Sequence, residues 1–488
     1  MLWLALISDA PFNTNVKVSN WDISSGKDQT EVTMAKSSNW VVSSWINMDV
    51  PGYWTANQLA VSADNGYTWN LITTYTSSNS SCWVGDPTLA ADPNDPDKFY
   101  WAGMIWCDFG SGVKGEIYFC TNTGTPDNAS NWSCSILPPD DGWNYFKDKP
   151  WLLVRDNGGT TEILVVFTAE GYGSTSLSTY EMISVKSTDG GATWQAPVRV
   201  DPGYPSTVAY TYYDASTSTV HMADNCLYCY SGYDVVIEYT TSSDFGGTWN
   251  YVSGILGSVP SGQGSTCPNF NRPAKISATI AATGSNVFMA GVVDANSDGG
   301  CDLQIAISND GGANWVGIGD TSGQYIHPTV ATDGDSAIYV MAQSRSGTTA
   351  PWQTVMFFSE DLGSTWSGVR VSDHDYTMNE NPAGHDYNGF LYYGGDLFAI
   401  WGDDYYNEDA GAIYYATTAL PTAISEHPAS PSGESVSVVD GILHLKEAAT
   451  IYDASGRMLM RSEAGKVQLR PGVYFVKTST GLRKVLVR

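Results

Sequence analysis

The chain has 488 residues, 42% of them hydrophobic, and a formal net charge of -28 from 51 acidic and 23 basic side chains. This length and apolar content support a large buried core, as one repeat domain or two to three ordinary ones, and exclude a disordered chain. The acidity disfavours nucleic acid and anionic membrane surfaces and leaves neutral glycans, cationic partners and divalent cations, and no apolar run of about 18 residues is present to form a membrane-spanning helix.

Residues 1–14 begin MLWLALISDA, apolar but short and lacking a basic start. The stretch reads either as the remnant of a clipped signal peptide or as a hydrophobic N-terminus. From residue 15 onward the pattern is one of short alternating strands. Within 15–420 the signature Ser-x-Asp-x-Gly-x-Thr-Trp recurs at 62–69, 187–194, 242–249 and 359–366, with Asn for Thr at 308–315 and a degenerate copy ending at Trp132. Each copy follows an alternating run such as YEMISVKSTDGG and precedes another strand, which places it at a hairpin turn. There Asp accepts hydrogen bonds from turn N–H groups, Gly supplies a positive φ and Trp buries a large apolar face. These copies resemble the Asp-box (BNR) repeats of the sialidase-like β-propellers, over about residues 15–420.

A second signature opens each repeat: a polar residue, usually then Pro, then an apolar strand. It stands at Glu31, Asp86, Lys149, Tyr204, Arg272, His327 and Asp386. Seven starts against six turns predict an all-β, seven-bladed β-propeller of four-stranded antiparallel sheets, with six blades as the alternative count. The seventh unit has three strands of its own, so NVKVSN at 15–20 is expected to supply the fourth and close the ring.

Propeller topology puts the Asp-box turns on one face and the repeat starts on the other. That second face is expected to gather Glu31, Asp86, Lys149, Tyr204, Arg272, His327, Asp386 and Tyr387 around the axis, with Asp404 and Tyr405 on a neighbouring loop. Paired carboxylates serve there as acid and base, and aromatic faces stack on sugars. The plainer reading makes the same Asp and Tyr residues turn formers and rim residues.

The resemblance implies a carbohydrate-directed protein, and fold alone does not decide activity. A sialidase would carry three convergent arginines, yet no arginine precedes Arg155 and only Arg272 stands at a repeat start. Sialidase chemistry is therefore not expected. One reading is a glycoside hydrolase with Asp386 or Glu31 as acid/base, Asp86 as second carboxylate, Tyr387 nearby, and Arg272 and His327 positioning substrate. A lyase variant would use Tyr204 or Tyr387 with His327, and Arg272 or Lys149 against a uronate carboxylate. The other reading is a non-catalytic surface propeller that holds extracellular glycan or a protein partner. A monomer is expected.

Eight cysteines in this composition are compatible with disulfides and an exported protein. Blade positions pair Cys82 with Cys107 and Cys267 with Cys301, Cys120 and Cys134 flank the degenerate turn, and Cys226 and Cys229 form a lone C-x-x-C read as a loop disulfide. No cofactor is required. Asp294, Asn296 and Asp298 match the start of a calcium loop, but Ile305 occupies the place of the distal acid, so calcium competes with an acidic turn.

A Pro/Ser-rich linker spans 421–435. Beyond it the charge reverses: residues 441–488 hold nine Lys/Arg against three Asp/Glu, leaving 14 against 48 for the first 440. In 436–488 the stretches Tyr452-Asp453-x-x-Gly456-Arg457, Leu469-x-Pro471-Gly472-Val473-Tyr474 and Lys484-Val485 resemble the C-terminal sorting domain of the type IX secretion system. That resemblance implies a small β-sandwich, engagement of the secretion machinery, and export to the surface of a Gram-negative bacterium or to the medium. The alternative is an immunoglobulin-like sandwich with no sorting role.

Overall fold

The computed structural model describes residues 6–7, 12–13, 15–19, 29–48, 50–79, 82–108, 113–137, 146–170, 180–200, 206–227, 233–252, 256–260, 278–293, 301–320, 323–347, 349–376, 387–403 and 411–419. It further describes 436–439, 442–445, 448–453, 458–468, 472–478 and 481–487. Two compact units emerge, Met1–Ala419 and Leu420–Arg488. The described residues are all-β, with one 3₁₀ turn at Ala129–Asn131. None of their helices is long and apolar enough to cross a membrane.

In the first unit the described strands form seven antiparallel sheets of a β-propeller, each running outward from an inner strand. The inner strands are Gln29–Lys36, Cys82–Ala91, Phe146–Asp156, Ser206–Asp214, Thr279–Thr283, Gln324–Thr332 and Gly389–Tyr393. Each touches the next, and the last touches the first, so the sheets close a ring. The seventh sheet takes its outer strand from the N-terminal side, where Val16–Lys17 pairs with Ala412–Thr417. Asn13 and Asn15 extend that seam: Asn13 Oδ1 accepts from the Thr417 amide at 2.9 Å, and Asn15 Oδ1 from the Asp373 amide at 2.7 Å. Two strands are additions to the expected plan. Leu6–Ile7 lies parallel to Ser367–Arg370 on the rim of the sixth sheet. Leu256–Pro260 pairs with Tyr233–Ser242 in the fourth.

The repeated turns do what their residue types predict, and more. In the first copy Asp64 accepts from the Thr68 amide at 2.9 Å and the Thr68 hydroxyl at 2.7 Å, while Ser62 Oγ accepts from the Gly66 amide at 2.7 Å. The copies centred on Asp189, Asp244, Asp310 and Asp361 repeat this network. Each turn also clasps the preceding sheet. Gly312, at φ 91, lies so close to Tyr239 that a Cβ would enter the ring, and Trp315 packs edge-on to the same ring at 5.4 Å. Trp69 against Tyr415 and Trp194 against Phe119 repeat the contact one sheet away.

Cys82–Cys107 ties the first two strands of the second sheet, and Cys120–Cys134 ties its outer pair, as expected. Cys301 is also disulfide-bonded. Cys229 and Cys267 lie outside the described residues, as does the side chain of Cys226. The second unit holds a three-stranded sheet (Val436–Val439, Ile442–Leu445, Gly465–Gln468) and a four-stranded one (Met458–Ser462, Ala449–Asp453, Gly472–Thr478, Gly481–Val487).

Candidate functional site

Four of the seven inner strands share a local defect that builds the site. Their pairing slips between Thr30 and Thr33, Gly85 and Thr88, Asp148 and Trp151, and Ile326 and Thr329. At each slip one non-glycine residue takes the left-handed conformation: Glu31 (φ 51), Asp86 (φ 48), Lys149 (φ 52) and His327 (φ 49). The Pro that follows Asp86, Lys149 and His327 has no N–H to lose from the ladder, so a bulge suits it. Left-handed backbone costs about 1–2 kcal/mol for an ordinary L-residue. Such strain concentrates where side chains are held for a purpose.

The first three of these side chains converge. Lys149 Nζ donates to Asp86 Oδ1 at 2.8 Å and to Glu31 Oε1 at 3.2 Å, with side-chain exposures of 9%, 5% and 1% for Lys149, Asp86 and Glu31. Burial pushes the Asp86 carboxyl up, but the Lys149 ammonium and hydrogen bonds involving Glu31, Asp148 and Lys149 outweigh it and hold Asp86 well below the usual carboxylate range. Asp86 is therefore the anion that the Lys149 ammonium holds.

Above this cluster opens a cavity of about 190 Å³ lined by Glu31, Asp86, Asp148 and Lys149 below and by Trp83, Trp106 and Phe146 as its wall. Roughly 150 Å³ accommodates one benzene-sized ring, so the cavity suits a single sugar ring. The wall follows from strand alternation. Cys82 pairs with Cys107 and Trp83 with Trp106 along one ladder, so the disulfide faces the core and the indoles face the cavity.

Tyr387 sits beside the site rather than in it. Its hydroxyl donates to the Pro87 carbonyl at 2.9 Å, and its ring meets Trp151 and Tyr210 edge-on at 5.9 and 6.5 Å. Burial first, then the nearby Glu31 and Asp86 charges, push this phenol far up, so it stays protonated. The cluster fills space between the second, third, fourth and seventh sheets with aromatic rings. His327 belongs to a separate network in which its Nδ1 lies 2.7 Å from Gln343 Oε1, an oxygen that also accepts from Asn388 at 3.0 Å.

Asp386, Tyr204, Arg272, Asp404, Tyr405, Asp294, Asn296 and Asp298 lie outside the described residues. Among the described residues no cluster of His, Cys, Asp or Glu is arranged to hold a metal. Sequence reasoning reached Glu31, Asp86 and Lys149 but missed Asp148 and the aromatic wall. The mirrored pairs Cys82-Trp83 and Trp106-Cys107 were the signal that would have found the wall. A second unforeseen cluster joins the sixth and seventh sheets, where His374 Nδ1 meets Asp373 Oδ1 and its Nε2 meets buried Asp403 Oδ2, both at 2.8 Å.

No protein-family model and no curated protein matches the chain. Solved structures resemble it at low identity. A Trypanosoma rangeli sialidase in complex with 2,3-difluorosialic acid is 11% identical, with TM-score 0.45, covering 97% of this chain and 74% of its own. The phage phi92 endosialidase is 10% identical, with TM-score 0.47, covering 97% and 87%. The NanB sialidase of Streptococcus pneumoniae is 13% identical, with TM-score 0.43, covering 85% and 71%.

Proposed function

We propose that this chain is a seven-bladed, Asp-box propeller, residues 15–420, that recognises extracellular carbohydrate in the cavity between its first three blades. The convergence of strained Glu31, Asp86 and Lys149 beneath Trp83, Trp106 and Phe146 carries the proposal. Aromatic walls with a few fixed polar groups beside them are the usual composition of a small-molecule site, and an aromatic face suits the apolar C–H face of a sugar ring. Recognition without turnover is the reading favoured. Carboxyl pairs that hydrolyse glycosides stand about 5 Å or more apart and stay free to exchange protons with substrate, whereas Asp86 and Glu31 are both held by the Lys149 ammonium, at 2.8 and 3.2 Å. Aromatic rings around Tyr387 also crowd the region beside it.

Hydrolysis is the second reading, favoured by one observation: half-buried Asp148 lines the same cavity as Asp86, a second carboxyl group beside the one the Lys149 ammonium holds as an anion. Asp386, with Asp404, Tyr405, Arg272 and Tyr204 as substrate contacts, belongs to this reading; a uronate-directed lyase and calcium at Asp294, Asn296 and Asp298 remain further elements of it. The 436–488 module is proposed as a β-sandwich that directs export through type IX secretion, in keeping with the disulfides.

A polysaccharide panel tests both readings, scored for retention on immobilised glycan, new reducing ends and absorbance of unsaturated uronates. Retention that Asp86→Asn or Glu31→Gln weakens, with no new ends, supports recognition. New ends that Asp148→Asn abolishes replace it with hydrolysis. Silence in all three measurements refutes the proposal.

A further inference from the structure

The aromatic wall does not stop at the cavity. Trp54 is 59% exposed and meets Trp83 edge-on with centroids 5.4 Å apart. Trp83 lies 5.7 Å from Trp106, and Trp106 lies 6.3 Å from Phe146. The four rings come from separate segments: the connection before Ala56–Ser62, the start of Cys82–Ala91, the end of Phe99–Asp108 and the start of Phe146–Asp156. Three blades thus contribute to one run of rings that leads from a ring-sized cavity into solvent.

Each pyranose in a polysaccharide presents an apolar C–H face, and stacking on indole or phenyl rings is the interaction that surface offers. The ring centroids recur every 5.4–6.3 Å, and successive rings are tilted by 48–81°, so each offers its own face or edge along the run. Charge then selects among polymers. Among the described residues three carboxyl-bearing side chains line the cavity, and the one cation there, Lys149, already holds Asp86 and Glu31. With -28 on the whole chain, uronates, sulfated glycans and sialic acids are repelled.

Resting on the carbohydrate reading of the cavity, we propose that Trp54, Trp83, Trp106 and Phe146 form a platform for an extended neutral polysaccharide. One sugar unit sits in the cavity and the following units stack outward to Trp54. Because Trp54 is 59% exposed and its ring contact among the described residues is with Trp83, its replacement leaves the fold intact, which circular dichroism verifies.

The test is calorimetric titration of the full chain with xylo-, manno-, cello- and chito-oligosaccharides, as disaccharides and hexasaccharides, beside polygalacturonate and polysialic acid. The expected result is tighter binding of the hexasaccharide in at least one neutral series. In that series Trp54→Ala loses roughly tenfold more affinity for the hexasaccharide than for the disaccharide, the size of one stacking contact, and Trp54→Phe restores most of it. Equal losses at both lengths, no neutral hexasaccharide bound, or tighter binding of either polyanion overturns the platform. The two proposals fail separately. Disaccharide binding that needs Asp86 while Trp54→Ala costs nothing removes the platform alone, and length-dependent binding indifferent to Asp86→Asn and Glu31→Gln removes the cavity reading alone.

Discussion

Lys149→Met removes the cation that binds Asp86 and Glu31 while keeping most of its volume, and its cost follows from the geometry. Lys149 Nζ is 2.8 Å from Asp86 Oδ1, and both side chains are less than a tenth exposed. At an effective dielectric of about 20 that separation corresponds to about 6 kcal/mol of attraction. Desolvation of the ammonium, no longer incurred in the variant, returns part of it, and removing one partner of a buried pair usually costs about 3–5 kcal/mol. The pH dependence carries the sharper signature. In the wild type Asp86 has a lowered folded pKa, so its contribution is present above the ordinary carboxylate range and is lost only as strong acid titrates the folded carboxyl. Without the ammonium, burial dominates and raises that pKa, so the penalty is full near neutrality and shrinks as the carboxyl takes up a proton. Urea unfolding of the 1–419 unit, followed by tryptophan fluorescence at about pH 7 and about pH 4.5, is expected to show a deficit of about 3–5 kcal/mol that falls by at least half at the lower pH. Adding Asp86→Asn to the variant should recover most of the loss. A deficit below about 1 kcal/mol at neutral pH, or one equal at both pH values, refutes the ionic account.

Three further outcomes follow from the same structure. Gly312→Ala is expected to cost about 2–5 kcal/mol, combining left-handed backbone with intrusion into Tyr239, whereas Gly311→Ala, at φ 74 with nothing near its Cβ, should cost only the backbone share; equal midpoints in urea would disprove the clasp. Hydrogen bonding to Asp403, then opposed by burial and aided by Asp373, raises the His374 pKa. Its stabilisation is thus fully present below about pH 6 and lost as pH rises through the folded value, so the melting difference from His374→Gln should be largest in mild acid and vanish in mild alkali. Replacing Cys120 and Cys134 by Ser opens a bridge of sequence separation 14 and should lower stability by about 3 kcal/mol, read as a shifted urea midpoint that reduction of the wild type partly reproduces.

Much of the fold was legible because its signals are local. The Asp64, Asp189, Asp244, Asp310 and Asp361 turns each close within a few residues, so spacing alone announces them. The outer strand at Val16–Lys17 was legible for a related reason: three strands in the last repeat left an edge that a matching segment had to fill. Leu256–Pro260 was not, because its pairing with Tyr233–Ser242 competes with a loop reading that its composition equally allows.

By itself the sequence determined the all-β class, the direction of each hairpin and the polar residue that opens each repeat, since these depend on neighbours a few positions away. Only the tertiary structure decided which of those openings act together. Lys149 meets Asp86 and Glu31 across separations of 63 and 118 residues, and Tyr387 reaches the carbonyl of Pro87 across 300. The physical reason is that each bulge aims one side chain inward by a local rule, whereas the distances, the shared ammonium and the aromatic wall exist only once separate sheets have closed around the same point.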